Sequence, residues 1–215
     1  MKKIIFLHRS VGNNLIQDGN VYELLASYPD ISFTDFNQNT GLLRNAHSTQ
    51  NTEYTMPGGN TTPRDYAELF SSDYSSPLKD FVMNHDVVII KSCYPNSNIK
   101  TSNQLETIKD FYRSITRFFT SYPDKHLVIM TSPPLTPFMT TKDNAKRADT
   151  LAQWMCAELK TANCTLFDLR NELTDERGML KQDYRRLWPF DSHPNSLASR
   201  TIVSKFIASL LLRKA

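Results

Sequence analysis

The chain has 215 residues, 40% of them hydrophobic and 22% charged, with a formal net charge of +3. That length suits one hydrophobic core and a single domain over residues 1–215, and the composition excludes the disordered and collagen-like classes. Lysines and arginines are scattered along the whole length, so the weak positive charge points to neither a nucleic-acid nor a membrane partner.

The first element is the apolar run "KIIFLH" at residues 3 to 8. Its start resembles a signal peptide, but only "IIFL" is continuously apolar. The polar "RSVGNN" then follows where a longer apolar segment and a small-residue cleavage site belong. It reads as a strand. Four more β-type runs come after it: "ISFTDF" (31 to 36), "DVVIIK" (86 to 91), "HLVIMT" (126 to 131) and "CTLFDL" (164 to 169). Several are almost continuous in Val, Ile, Leu, Phe and Met, the pattern of a parallel strand covered by helices on both faces.

Helical segments separate these runs. "NNLIQDGNVYELLASY" breaks into two pieces; "TPRDYAELF" and "SPLKDFVMNH" follow, and then "SNQLETIKDFYRSITRFFTSY". In the last of these Leu105, Ile108, Phe111, Tyr112, Ile115, Phe118 and Phe119 recur at three-and-four spacing and form one core-facing stripe. "DNAKRADTLAQWMCAELKTAN" is a further helix, and "PNSLASRTIVSKFIASLLLRK" is the last, with Pro194 expected in its first turn and cations at its end.

Regular β and α alternation predicts an α/β fold: a three-layer α/β/α sandwich around a flavodoxin-like five-stranded parallel sheet of order 2-1-3-4-5. The polar stretch from 37 to 62 reads as one long substrate-facing loop. Cys93, Cys156 and Cys164 fit neither a disulfide framework nor a zinc spacing, which favours a reduced compartment. With no apolar stretch near the roughly 20 residues that cross a bilayer, a soluble, cytoplasmic chain is expected.

Open parallel sheets bind ligands beyond the carboxyl ends of their strands, and three polar clusters fall there. "HRSVGNN" puts Ser10 on the turn after the first strand, with Gly12 permitting tight backbone. There Ser10 is either a helix N-cap or a nucleophile. "KSCYPNSNI", after the third strand, offers Asn96 or Asn98 as donors, while "TSPPLTP", after the fourth, is a rigid lip. Finally, "WPFDSHPN" sets Asp191 two residues before His193, on one side of an extended segment, so that the carboxylate orients the ring. Nucleophile, base and orienting acid are the three roles of acyl transfer, because serine is a weak nucleophile until an imidazole takes its proton.

Order and placement of these blocks resemble the SGNH hydrolases, also called GDSL-like esterases and lipases. The resemblance implies Ser10 as nucleophile, His193 as base and Asp191 as its orienting acid. It implies oxyanion donors at the Ser10 amide, at Gly58 or Gly59 in "MPGGN", and at Asn96. Three departures mark a divergent branch: His-Arg-Ser replaces Gly-Asp-Ser, Tyr94 stands where the third block usually has asparagine, and one residue separates acid from base instead of two.

Around this constellation His8 is a candidate for a supporting or substrate contact, Arg44, His47 and Arg64 could meet an anionic or sugar group, and Tyr94 and Trp188 offer stacking surfaces. No cofactor and no metal is called for, since the five histidines form no ligand spacing. The expected partner is a small-molecule or carbohydrate ester. Ester hydrolysis by a Ser-His-Asp mechanism is the reading; acyl transfer by the same groups, or a non-catalytic binding module on the scaffold, are its alternatives.

Overall fold

A computed structural model of the chain describes residues 1–211. Arg213 and Lys214, the cations expected to close the last helix, lie outside the described residues.

In chain order the elements are β1 (Lys2–His8), α1 (Ser10–Asp18), α2 (Val21–Leu25), β2 (Ile31–Asn37), β3 (Leu42–Asn45), β4 (Thr49–Asn51), α3 (Pro63–Leu69) and α4 (Pro77–Met83). Then come β5 (Val87–Lys91), α5 (Ser102–Thr120), β6 (His126–Met130), α6 (Lys142–Glu158), β7 (Cys164–Phe167), α7 (Leu169–Leu173) and α8 (Ser196–Leu211). A 3₁₀ turn at Tyr94–Asn96 follows β5, and another at Gln182–Tyr184 precedes α8.

The sheet runs β4-β3-β2-β1-β5-β6-β7. Its five parallel strands are the five expected from sequence, in the expected order. The difference is at one edge, where β3 pairs antiparallel with β2 and β4 antiparallel with β3. The stretch from 37 to 62 is therefore not one loop. Gly41, at φ 67, turns the chain after β2, and Asn45 Oδ1 accepts the backbone amides of His47 and Ser48 to close the hairpin. β4 is polar and exposed throughout, and β3 buries only Leu43, as suits an edge.

Successive strand residues serve opposite layers. Ile5, Leu7, Val88, Ile90, Leu127 and Ile129 pack with α3, α4, α5 and α6, while Ile4, Phe6, Val87, Ile89, Val128 and Met130 pack with α1, α2, α7 and α8. The predicted stripe of α5 is buried except for half-buried Phe111. Side-chain oxygens cap α3 (Thr62), α4 (Ser76), α5 (Thr101), α6 (Thr141) and α7 (Asp168). Pro194 is not in the first turn of α8. Asn195 is the cap there, its Oδ1 accepting the Ala198 amide, so the proline sits just outside the helix.

Among the described residues, no helix is long and apolar enough to cross a membrane.

Candidate active site

Ser10 follows β1 and opens α1, but it is not the cap. That position belongs to Arg9, and no side chain caps the helix. The amides of this first turn therefore lack the partner that α3 to α7 all receive, and they face the carboxyl edge of the sheet. Ser10 itself is half-buried. Its hydroxyl is spared a capping role, which is one of the two roles its sequence context left open.

The loop holding Gly58 and Gly59 is strapped beside this turn. The Arg9 guanidinium donates to Asn60 Oδ1 at 2.7 Å and to Asn39 Oδ1 at 2.6 Å. Of the two glycines, Gly59 donates its amide to Met56 O at 2.9 Å and sits at φ 66, so its N–H serves a turn and not an oxyanion. Gly58 has a different constraint: a Cβ there would lie 1.8 Å from Asp65 Oδ1. Asp65 is buried and completes the capping box of α3 with Thr62. Gly58→Ala must displace that carboxylate and should cost about 1–3 kcal/mol. A thermal melt should show the midpoint fall by roughly 2–4 °C for each kcal/mol; an unchanged midpoint would mean that the loop moves freely.

β5 is the neighbour of β1, and the turn at its end brings Tyr94 and Asn96 to the same edge. Asn96 is 6% exposed and its Nδ2 has no hydrogen-bond partner. It is a buried donor without an acceptor, a costly arrangement unless a ligand uses it. Asn98, the other donor considered, is engaged: its Oδ1 accepts from Thr140 Oγ1 and Asn144 Nδ2. Tyr94 is not a rim surface. Its ring meets the His193 ring edge-on, with centroids 5.3 Å apart. Burial, then the neighbouring Cys93 and Asp191, push its hydroxyl far above the ordinary tyrosine value, so it stays a neutral phenol beside the imidazole.

Asp191 and His193 do meet. Asp191 Oδ1 accepts from His193 Nδ1 at 2.6 Å and from the His193 backbone amide at 2.9 Å. The second contact makes a side-chain turn, so a bend and not an extended segment aligns the pair. Burial raises the Asp191 carboxyl, but the His193 amide, the His193 ring and Arg186 outweigh it and hold the group below its ordinary value. With Nδ1 committed to the carboxylate, Nε2 points away from Asp191; it is buried and has no hydrogen-bond partner. The lip after β6 fixes this segment from below. Thr136 donates its amide to Ser192 Oγ at 3.0 Å and its hydroxyl to Pro189 O at 2.8 Å.

Trp188 is 65% exposed and stands in a chain of rings, with Phe190 at 5.6 Å and Phe138 a further 5.5 Å on. It borders an open cavity of about 600 Å³ with Asp18, Arg185, Arg186 and Asn195. Phe138 and Phe190 carry no motif that singles them out, although both stand beside a proline in a polar stretch, where an apolar ring has no core to join. Arg64 lies exposed on α3. His8 is taken out of direct substrate contact, being fully buried with both ring nitrogens engaged. Arg44 is bound to buried Asp35 and keeps 11% side-chain exposure.

No protein-family model and no curated protein sequence matches the chain. Its fold does match solved structures. It is similar to a carbohydrate esterase of family 3 from Talaromyces cellulolyticus, with 14% identity, a TM-score of 0.60 and coverage of 99% of this chain and 97% of that one. It is similar to a GDSL-like lipase from Bacteroides thetaiotaomicron, with 9% identity, a TM-score of 0.60 and coverage of 100% and 89%. A lipase/acylhydrolase from Enterococcus faecalis matches with 14% identity, a TM-score of 0.59 and coverage of 99% and 97%. The class of fold follows: a divergent form of the SGNH, or GDSL-like, hydrolase fold, carrying an antiparallel hairpin on its β2 edge.

Proposed function

We propose that the protein is a serine ester hydrolase that removes a short acyl group, such as an acetyl, from a carbohydrate or other small polar carrier. One observation supports the reading: the Asp191–His193 pair is hydrogen-bonded at 2.6 Å with its second ring nitrogen unclaimed, by the Ser10 hydroxyl as by any other group, and its ring meets Tyr94 in the turn after β5, the strand beside β1. The fold shared with esterases and acylhydrolases supports it.

In this reading His193 Nε2 takes the Ser10 hydroxyl proton as the oxygen attacks the ester carbonyl, and Asp191 stabilises the imidazolium that forms. The Ser10 amide and Asn96 Nδ2 donate to the oxyanion, with the Gly58 amide the remaining glycine candidate. Collapse expels the alcohol, which takes its proton from His193. Water, deprotonated by the same ring, then attacks the acyl-serine and releases the acid. The cavity beside Trp188 is edged by the charged side chains of Arg185, Arg186 and Asp18, groups that can hydrogen-bond a small hydroxylated carrier.

Purified protein should hydrolyse p-nitrophenyl acetate and take up a fluorophosphonate at Ser10. Asp191→Asn keeps the shape of the turn and loses the charge, and it should lower kcat by about 10³- to 10⁴-fold. Full turnover in that variant would remove the orienting acid from the scheme.

A further inference from the structure

His8 sits two residues before Ser10, at the end of β1, with 0% exposure. Its Nδ1 lies 2.9 Å from the Arg9 carbonyl oxygen and its Nε2 lies 2.8 Å from Asp35 Oδ2. Each ring nitrogen thus faces an oxygen, and Nδ1, opposite a carbonyl that can only accept, is the donor to Arg9 O. Asp35 is itself fixed from outside the β1 turn, by Arg44 of β3 and by the Tyr22 hydroxyl of α2. The ring is wedged between Phe6, at a centroid distance of 4.8 Å, and the start of α1. There Gly12 leaves the space: a Cβ on Gly12 would fall 2.2 Å from His8 Cβ and 2.8 Å from Nδ1. The glycine of "SVGNN" is thus required by the ring beneath it.

The Arg9 carbonyl and the Ser10 amide belong to one peptide unit. That unit is planar, so whatever fixes the direction of the C=O also fixes the direction of the N–H on its other side. We propose that His8 is a positioning residue which, anchored by Asp35, clamps the Arg9–Ser10 peptide so that the Ser10 N–H points at the developing oxyanion. The proposal rests on Ser10 being the nucleophile. Arg9 O receives a second bond, from the Asn13 amide at 2.9 Å, which is the first rung of α1. One rung orders the helix; the ring adds a direction that the helix alone leaves soft, because no side chain caps this end. Donation into the carbonyl also polarises the peptide and strengthens its N–H as a donor.

Two near-isosteric variants separate the halves of the ring. His8→Asn places an amide nitrogen where Nδ1 was and keeps the bond to Arg9 O. His8→Gln places one where Nε2 was and keeps only the bond to Asp35. His8→Gln should lower kcat on p-nitrophenyl acetate by about 10- to 100-fold with KM within about twofold, short of the 10²- to 10³-fold loss that follows removal of a whole oxyanion donor. His8→Asn, which keeps the bond to Arg9 O but loses the Asp35 anchor, should lose less, about 3- to 10-fold on the same scale.

Both variants lose buried contacts, so thermal midpoints are measured alongside, and rates are compared well below the lower one. The Ser10 amide cross-peak in a ¹H–¹⁵N spectrum reads the clamp without substrate: it should move further in His8→Gln than in His8→Asn. Equal kcat losses in the two variants, losses that track the midpoints, or an unmoved Ser10 resonance in His8→Gln would overturn the proposal and leave the hydrolase reading intact. A wild-type protein that neither turns over ester nor takes up fluorophosphonate overturns that reading, and the positioning role of His8 falls with it.

Discussion

Replacing Ser10 with alanine should cut p-nitrophenyl acetate turnover by about 10⁴- to 10⁶-fold, the scale seen when the nucleophile of a serine triad is removed, and should abolish fluorophosphonate labelling. The fold should not notice. Ser10 occupies the first helical position of α1 and caps nothing, so alanine removes no structural hydrogen bond of the helix end and supplies a good helix former. A thermal midpoint within a degree or two of wild type, together with the loss of turnover, assigns the effect to chemistry. If turnover persists, the nucleophile lies elsewhere and the pairing of Asp191 with His193 is only a local turn. Persistent labelling at another residue would identify the replacement directly.

The centre of the parallel sheet was legible because β1, β5 and β6 are buried on both faces over most of their length, and such burial is written locally as a run of Val, Ile, Leu, Phe and Met. The hairpin of β3 and β4 was not, since both strands are short and "LLRN" and "TQN" carry no alternation to read. What makes them strands is the open edge of β2, which is a tertiary fact. The candidate site divides in the same way. Asp191 and His193 are two residues apart, so their contact follows from spacing, although a side-chain turn and not extension produces it. His8 could not be read correctly from its neighbours: its partner Asp35 is 27 residues away, and its seat under α1 depends on Gly12. A histidine beside a serine at a strand end suggested contact with substrate, where its place is inside the wall. Tyr94 was displaced for a related reason, because the segment that covers it comes from the far end of the chain.

Asp35→Ala should be the most destabilising single change in this network, by about 3 kcal/mol at pH 7, the low end of what breaking a buried ion pair costs. At roughly 2–4 °C for each kcal/mol in a chain of this size, the midpoint should fall by about 6–12 °C. Asp35 is fully buried and accepts from His8, from Nε and a terminal nitrogen of Arg44, and from the Tyr22 hydroxyl. Arg44, at the edge hairpin, retains 11% side-chain exposure and can turn toward water; His8 has no exit, which sets the cost. Burial by itself would raise the Asp35 carboxyl, but the bond and charge of His8, followed by Arg44 and Tyr22, hold it below its ordinary value of 3.8. A carboxyl lowered on folding contributes its full stability above 3.8, and the contribution drains away as pH falls through the lower folded value. The midpoint gap between wild type and Asp35→Ala should therefore be widest at neutral pH and close in acid. A gap that persists unchanged at low pH would assign the loss to packing and not to the charge, and a gap under about 2 °C at pH 7 would show that His8 and Arg44 do not depend on Asp35 at all.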